Sequence, residues 1–228
     1  MVWDLSSWHW VLWNVFLAAV PVIVGYALAL GAIHFTIRRR VIPLALWLPL
    51  LAVWFVFLPN TCYLLTEWRH FLANNEMSAI LAHADEDPGV MLSVAKWGLF
   101  FLVYSGIGAA TFVLSIRPIH DLLRRLRVPG WIPGVPFFFL MSFGVYLGLI
   151  VRLNSWDIAH RPLHVWDETV QAFGRFRLME AVVVFAVLLW LLYWLGDLIA
   201  DGLMYRIRTR PGGPGSIHLA ESGEVERY

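Results

Sequence analysis

The stretch from Leu5 to Ile37 contains no Asp, Glu, Lys or Arg. About 20 apolar residues in a helix cross the hydrocarbon of a bilayer, so this run spans it with length to spare. A soluble helix needs a polar face, and the only residues here that could carry charge are His9 and His34. Pro21 bends such a helix, which a membrane tolerates when neighbouring groups satisfy the freed carbonyl. Ala27-Leu28-Ala29 has the pattern of a signal-peptide cleavage site, yet no positive region precedes the run and Arg38-Arg39-Arg40 follows it. We read it as a retained helix.

Four more apolar segments follow. Val41 to Thr66 is uncharged but carries Pro43, Pro49 and Pro59; Pro59 and Asn60 predict that its far end is not regular helix. Trp68 to Pro88 is a polar loop ending in Asp-Pro-Gly. A third helix is expected from about Val90 to Ile116, with Lys96 snorkelling near its start and Ser105, Gly106, Gly108, Ala109 and Ala110 forming a small-residue contact patch. Arg117 to Gly134 reads as a basic connector, and a fourth helix covers roughly Pro136 to Val151. Its Gly144 and Gly148 form a GxxxG pair, a helix-packing face. The polar stretch Arg152 to Arg177 holds Val165, Trp166, Val170 and Phe173, which suit the apolar side of a short interfacial helix. The fifth helix occupies about Leu178 to Leu195.

With 60% of 228 residues hydrophobic and 14% charged, these runs leave no stretch for a separate soluble core. The expectation is one all-α domain, residues 1–210: a polytopic membrane helix bundle of about five transmembrane helices, with a disordered cytoplasmic tail at 211–228 opened by Pro211-Gly-Gly-Pro-Gly-Ser. A net charge of +1 excludes a nucleic-acid binder, and the single cysteine excludes an internal disulfide. The bilayer is the implied partner, with a protein partner or a homo-oligomer left open.

Orientation follows from Lys and Arg, which are retained on the cytoplasmic side of short loops. With the N-terminus outside, Arg38, Arg39, Arg40, Arg117, Arg124, Arg125, Arg127, Arg206, Arg208, Arg210 and Arg227 fall inside, eleven of the 17. Trp3, Trp8, Trp10, Trp13, Trp68, Trp97, Trp156 and Trp166 then crowd the outer interface as an aromatic belt. The expected location is the bacterial inner (cytoplasmic) membrane, multi-pass, with the C-terminus in the cytoplasm.

That topology brings two polar segments to one outer face. They are Asn60-Thr61-Cys62-Tyr63-Leu64-Leu65-Thr66-Glu67-Trp68-Arg69-His70 and Arg152-Leu153-Asn154-Ser155-Trp156-Asp157. Polar groups at membrane depth are costly unless paired, so Arg152 is expected to meet Glu67 or Asp157. Leu58-Pro59-Asn60 through His70 resembles the Leu-Pro-Asn-x-x-Tyr, Thr-Asp-x-x-His signature of the bacterial membrane-protein family called domain of unknown function 1361. Arg152 and Asn154 to Asp157 resemble its second signature, Arg-x-Asn-Ser-Trp-Asp, and the similarity runs from about Trp8 to Tyr205. Glu67 stands where that pattern has Asp, and Leu149 and Leu153 where it has Arg and an aromatic. The resemblance implies fold and location, and no mechanism.

Read directly, Glu67 and His70 are an E-x-x-H pair, and His160, His164 and Asp167, spaced i, i+4, i+7, would complete an oxygen- and nitrogen-donor set for zinc, iron or manganese. The competing reading is a set of interfacial histidines and an Arg–carboxylate clamp that tie two loops together. Cys62 is either a nucleophile served by His70 or a packing residue. Asn14 suits an interhelical hydrogen bond, and Asp197 and Asp201 suit pairing with the inner Arg clusters. No G-x-S-x-G elbow or phosphate-binding glycine loop is present. The readings left are a structural or accessory membrane protein, a membrane-embedded and metal-dependent enzyme acting on a lipid or envelope substrate, and a small-solute transporter. No cofactor is specified.

Overall fold

The computed structural model describes residues 5–37, 44–67, 88–129, 131–153 and 156–209. Among them there are eight helices and no strand: α1 (Leu5–Ile37), α2 (Leu44–Phe57), α3 (Pro59–Thr66), α4 (Pro88–Arg125), α5 (Trp131–Leu149), α6 (Asp157–His160), α7 (Pro162–Phe173) and α8 (Phe176–Thr209). The protein is an all-α, polytopic membrane helix bundle. Four stretches are long and apolar enough to cross a membrane: within α1, through α2 and α3 together, α4, and α8; α5 supplies a shorter apolar helix at Gly134–Leu149. The outer walls carry Leu12, Ile23, Leu102, Val184 and Leu198, all more than half exposed. In α8, only 22% of the most apolar window is buried by protein, so the remainder has lipid as its solvent.

α1 packs on α4 and α2, and α8 packs on α5 and α4. The core between them gathers Leu28, Trp54, Leu58, Phe112, Met141 and Leu189. Small residues set the closest crossings. A Cβ on Gly25 would sit 2.8 Å from the Ser115 carbonyl oxygen, which also accepts the indole N–H of Trp54 at 2.9 Å. This close approach is the way membrane helices gain dispersion contact without a hydrophobic driving force between them.

Three boundaries differ from expectation. The segment after Pro59 is helical: Leu58 makes a one-residue turn with helical dihedrals, and Pro59 occupies the first turn of α3, where its missing N–H is not needed. α4 does not stop at Ile116 but runs through Pro118 to Arg125, and α5 begins at Trp131, so most of the expected connector is helix. Proline removes one ladder bond, and packing on α8 outweighs that loss. α4 ends where Arg127 takes a left-handed backbone (φ 58°), with Val128 N–H bonding to Leu123 O and Arg127 N–H to Arg124 O. α8 likewise extends past Leu195 to Thr209, carrying Arg206 on the helix. The short helix expected around Val165 to Phe173 is present as α7. Residues 68–87, Asn154, Ser155 and the tail 211–228 lie outside the described residues.

Candidate functional site

The first signature builds α3, a two-turn helix wedged into the bundle. A proline at position 59 leaves carbonyls of the preceding turn without their usual donors, and in a lipid-solvated core each unsatisfied group costs several kcal/mol. The polar side chains that follow turn back onto nearby carbonyls, one of which, Leu58 O, also accepts the Thr61 N–H at 3.1 Å. Asn60 Nδ2 donates to Phe57 O at 2.9 Å, Thr61 Oγ1 donates to Leu58 O at 2.7 Å, and Thr66 Oγ1 donates to Tyr63 O at 3.0 Å. Asn60 and Thr61 are buried in doing so. Cys62 is wholly buried, packed in the apolar core with only the Thr61 hydroxyl as polar company, 3.8 Å from its sulfur. Its burial fits the packing reading of the two offered by the sequence.

Glycines grip α3 on two sides. A Cβ on Gly108 of α4 would stand 2.7 Å from Leu64 Cβ and 3.0 Å from Thr61 O. On α5, a Cβ on Gly144 would come within 2.9 Å of Pro59 Cγ, and one on Gly148 would run into the Tyr63 hydroxyl. The GxxxG pair is therefore a packing face, and its partners are Pro59 and Tyr63, also one turn apart. Because 59 meets 144 and 63 meets 148, α3 and α5 run in the same direction, and both signatures emerge at one end of the bundle.

At that end, Glu67 follows the last turn of α3 and is 7% exposed. It lies within electrostatic reach of Tyr104 on α4, whose buried hydroxyl also faces Asn14 of α1. Tyr104 was not singled out in the sequence; the signal available was a phenol beside the small-residue patch Ser105 to Ala110, which brings its helix close to α3. Trp10 and Phe100 flank the Tyr104 ring, at centroid distances of 6.1 and 5.8 Å.

The second signature begins one turn beyond Gly148. Leu153 N–H reaches back to Leu147 O at 3.1 Å, and Arg152 between them is in the left-handed region (φ 64°). Arg152 is exposed, and among the described residues no ion pair joins it to Glu67 or Asp157. Among the described residues that clamp is absent; an exposed guanidinium keeps its hydration, and a pair in water offers it little. Asn154 and Ser155 lie outside the described residues; Trp156 is exposed, and its carbonyl accepts the Ala159 and His160 N–H groups that start α6, of which Asp157 is the first residue.

His160, His164 and Asp167 are exposed and do not share one helix face, because the chain breaks at Arg161 (φ −138°, ψ 54°) and Pro162 starts α7. Among the described residues no three His, Cys, Asp or Glu side chains are placed to hold a metal ion, and His70 lies outside them.

The opposite end of the bundle carries its own polar cluster. Arg117 pairs with Asp197 at 3.6 Å and with Asp201, as the spacing of the two carboxylates suggested. His120 Nδ1 and the Tyr193 hydroxyl share a hydrogen bond of 2.7 Å. His120, Tyr193 and Asp197 are the polar lining of an otherwise apolar cavity of about 680 Å³ walled by Ile116, Phe138, Val183 and Trp190.

A model of the family described as "Protein of unknown function (DUF1361)" matches residues 13–194. No curated protein and no solved structure matches the chain.

Proposed function

Since this chain belongs to the DUF1361 family, whose matched span includes both signatures, we propose that it is an accessory membrane protein in which the first signature locks the bundle and the second presents a docking surface. The observation that carries this reading is where the polar side chains of the first signature go. Asn60, Thr61 and Thr66 bond to carbonyls of their own chain segment, and Pro59 and Tyr63 seat on the GxxxG face. Groups used in this way stabilise a helix kink and are not free to meet a substrate.

Arg152 supports the docking half. A left-handed backbone costs a non-glycine residue roughly 1–2 kcal/mol, and Arg152 accepts that cost while its side chain is exposed. Fold stability alone would favour glycine there. The Lys and Arg partition supports a reading in which this surface and the N-terminus face outward from the cytoplasmic membrane and α5 serves as a fifth crossing.

Two experiments test the reading. Thr61→Val and Glu67→Gln are expected to lower the yield of monodisperse protein extracted from membranes, whereas Arg152→Gly folds at least as well as wild type yet fails to complement a deletion strain. Thr61 and Glu67 variants that fold normally and lose complementation would instead place chemistry at the first signature. Reporter fusions address orientation: a C-terminal reporter active only outside the cytoplasm would overturn it.

A further inference from the structure

α7 divides its surface three ways. At about 100° per residue, Val165, Thr169 and Ala172 share one side, and these are the more covered positions. Ala172 is buried among Phe143 of α5 and Val182 of α8, and the Phe173 ring stacks on Phe143 at 5.1 Å. His164, Asp167, Glu168 and Gln171 make a second, polar side. Leu163, Trp166, Val170 and Phe173 make a third, an apolar stripe with every member more than half exposed. Phe173 meets the bundle at one end through Phe143, and the rest of the stripe, Leu163, Trp166 and Val170, is left exposed among the described residues.

We infer that α7 lies in the plane of the membrane interface, its stripe set into the headgroup and acyl boundary of the leaflet at the signature end, with electrically neutral lipid as its partner. Its depth is fixed by its contacts. α8 enters the bilayer after exposed Arg175, Arg177 and Glu180, and Glu180 is the last charge before an uncharged run to Gly196. Val182, which holds Ala172, is two residues further on, about 3 Å of helix rise. The far end of α7 is therefore pinned at the start of the hydrocarbon, where amphipathic helices bury their apolar faces. Only Gly174 and Arg175 separate it from α8, and the Arg175 N–H bonds to Ala172 O, which leaves no slack for the helix to lift into water. Anionic lipid is not called for: from 152 to 180 the four carboxylates Asp157, Asp167, Glu168 and Glu180 balance the four guanidinium groups of Arg152, Arg161, Arg175 and Arg177. This inference does not depend on the docking role of Arg152.

The native thiol makes a clean test possible, because Cys62 is wholly buried and an introduced cysteine is labelled selectively. The full-length variants Leu163→Cys, Trp166→Cys and Val170→Cys, and His164→Cys, Asp167→Cys and Gln171→Cys, are nitroxide-labelled and reconstituted into phosphatidylcholine vesicles. Collision with dissolved oxygen is compared with collision with a water-soluble nickel chelate. The stripe labels are expected to favour oxygen and the polar labels nickel, the ratio reversing with the helical period, and adding phosphatidylglycerol leaves the pattern unchanged. Uniform nickel access overturns the inference, since the helix is then in water. Stripe labels immobilised and shielded from both reagents also overturn it, since a protein surface or a second copy then covers the stripe. A pattern that forms only with phosphatidylglycerol overturns the neutral-lipid assignment.

Discussion

Replacing Gly148 by Ala puts a methyl group where the Tyr63 hydroxyl stands. Tyr63 cannot simply turn away, because its ring packs against the central core and its helix is held from the other side by Gly108. Relief requires α3 and α5 to separate, and overpacking of a tight contact costs about 1–3 kcal/mol. Against this, Ala gains up to about 1 kcal/mol over Gly in helix propensity. Gly106 isolates the second effect: it is also in a helix, but nothing lies within 4 Å of a Cβ there. Gly106→Ala should be neutral or stabilising, and Gly148→Ala should fall about 2 kcal/mol below it, or roughly 4–8 °C in apparent Tm for a chain of this size. Thermal unfolding of both variants in the same mild detergent provides the measurement. The Gly148→Ala, Tyr63→Leu double variant should recover part of the loss, as coupling between touching residues requires. Equal melting of the two single variants would refute the argument that α3 is seated on the GxxxG face.

Other outcomes follow from the polar contacts. Thr61→Val keeps the side-chain shape but removes one of the two donors to Leu58 O, the Thr61 N–H being the other, and should cost about 1 kcal/mol in the same melt; Thr111→Ser, which keeps its hydroxyl, serves as the neutral control. Asp197→Asn should destabilise more than Asp201→Asn, because Asp197 is 18% exposed and Asp201 58%, so only the former leaves Arg117 short of a partner away from water. Chemical denaturation of the two variants decides this, and a larger effect at Asp201 would reverse the ranking. Cys62 should resist maleimide in folded protein and react on unfolding, as followed by mass spectrometry.

The crossings were legible from charge alone. A run such as Leu5–Ile37, free of Asp, Glu, Lys and Arg, has lipid as its only good solvent whatever its neighbours are, and the uncharged stretches 97–116 of α4 and 181–196 of α8 follow the same rule. The GxxxG pair in α5 and the carboxylates Asp197 and Asp201 were also readable, since a packing face and a paired acid are the low-energy uses of those residues in a membrane. Helix ends were less so. Pro118 stops a helix by local preference, but α8 packs alongside and pairs two carboxylates with Arg117, and tertiary contact outweighed propensity.

The composition of the site was plain in the sequence, and the use of each residue was not. Asn60 and Thr61 stood in the sequence as members of a polar segment with partners unknown, and their acceptors are the Phe57 and Leu58 carbonyls just before them. Arg152 read as one half of a clamp until its exposure was known. Charge-free length is a property of the chain itself, so the sequence alone determines that this protein crosses a membrane. Which polar group meets which is a property of helices brought together, and here glycines 108, 144 and 148 decide it by the distance of approach they permit.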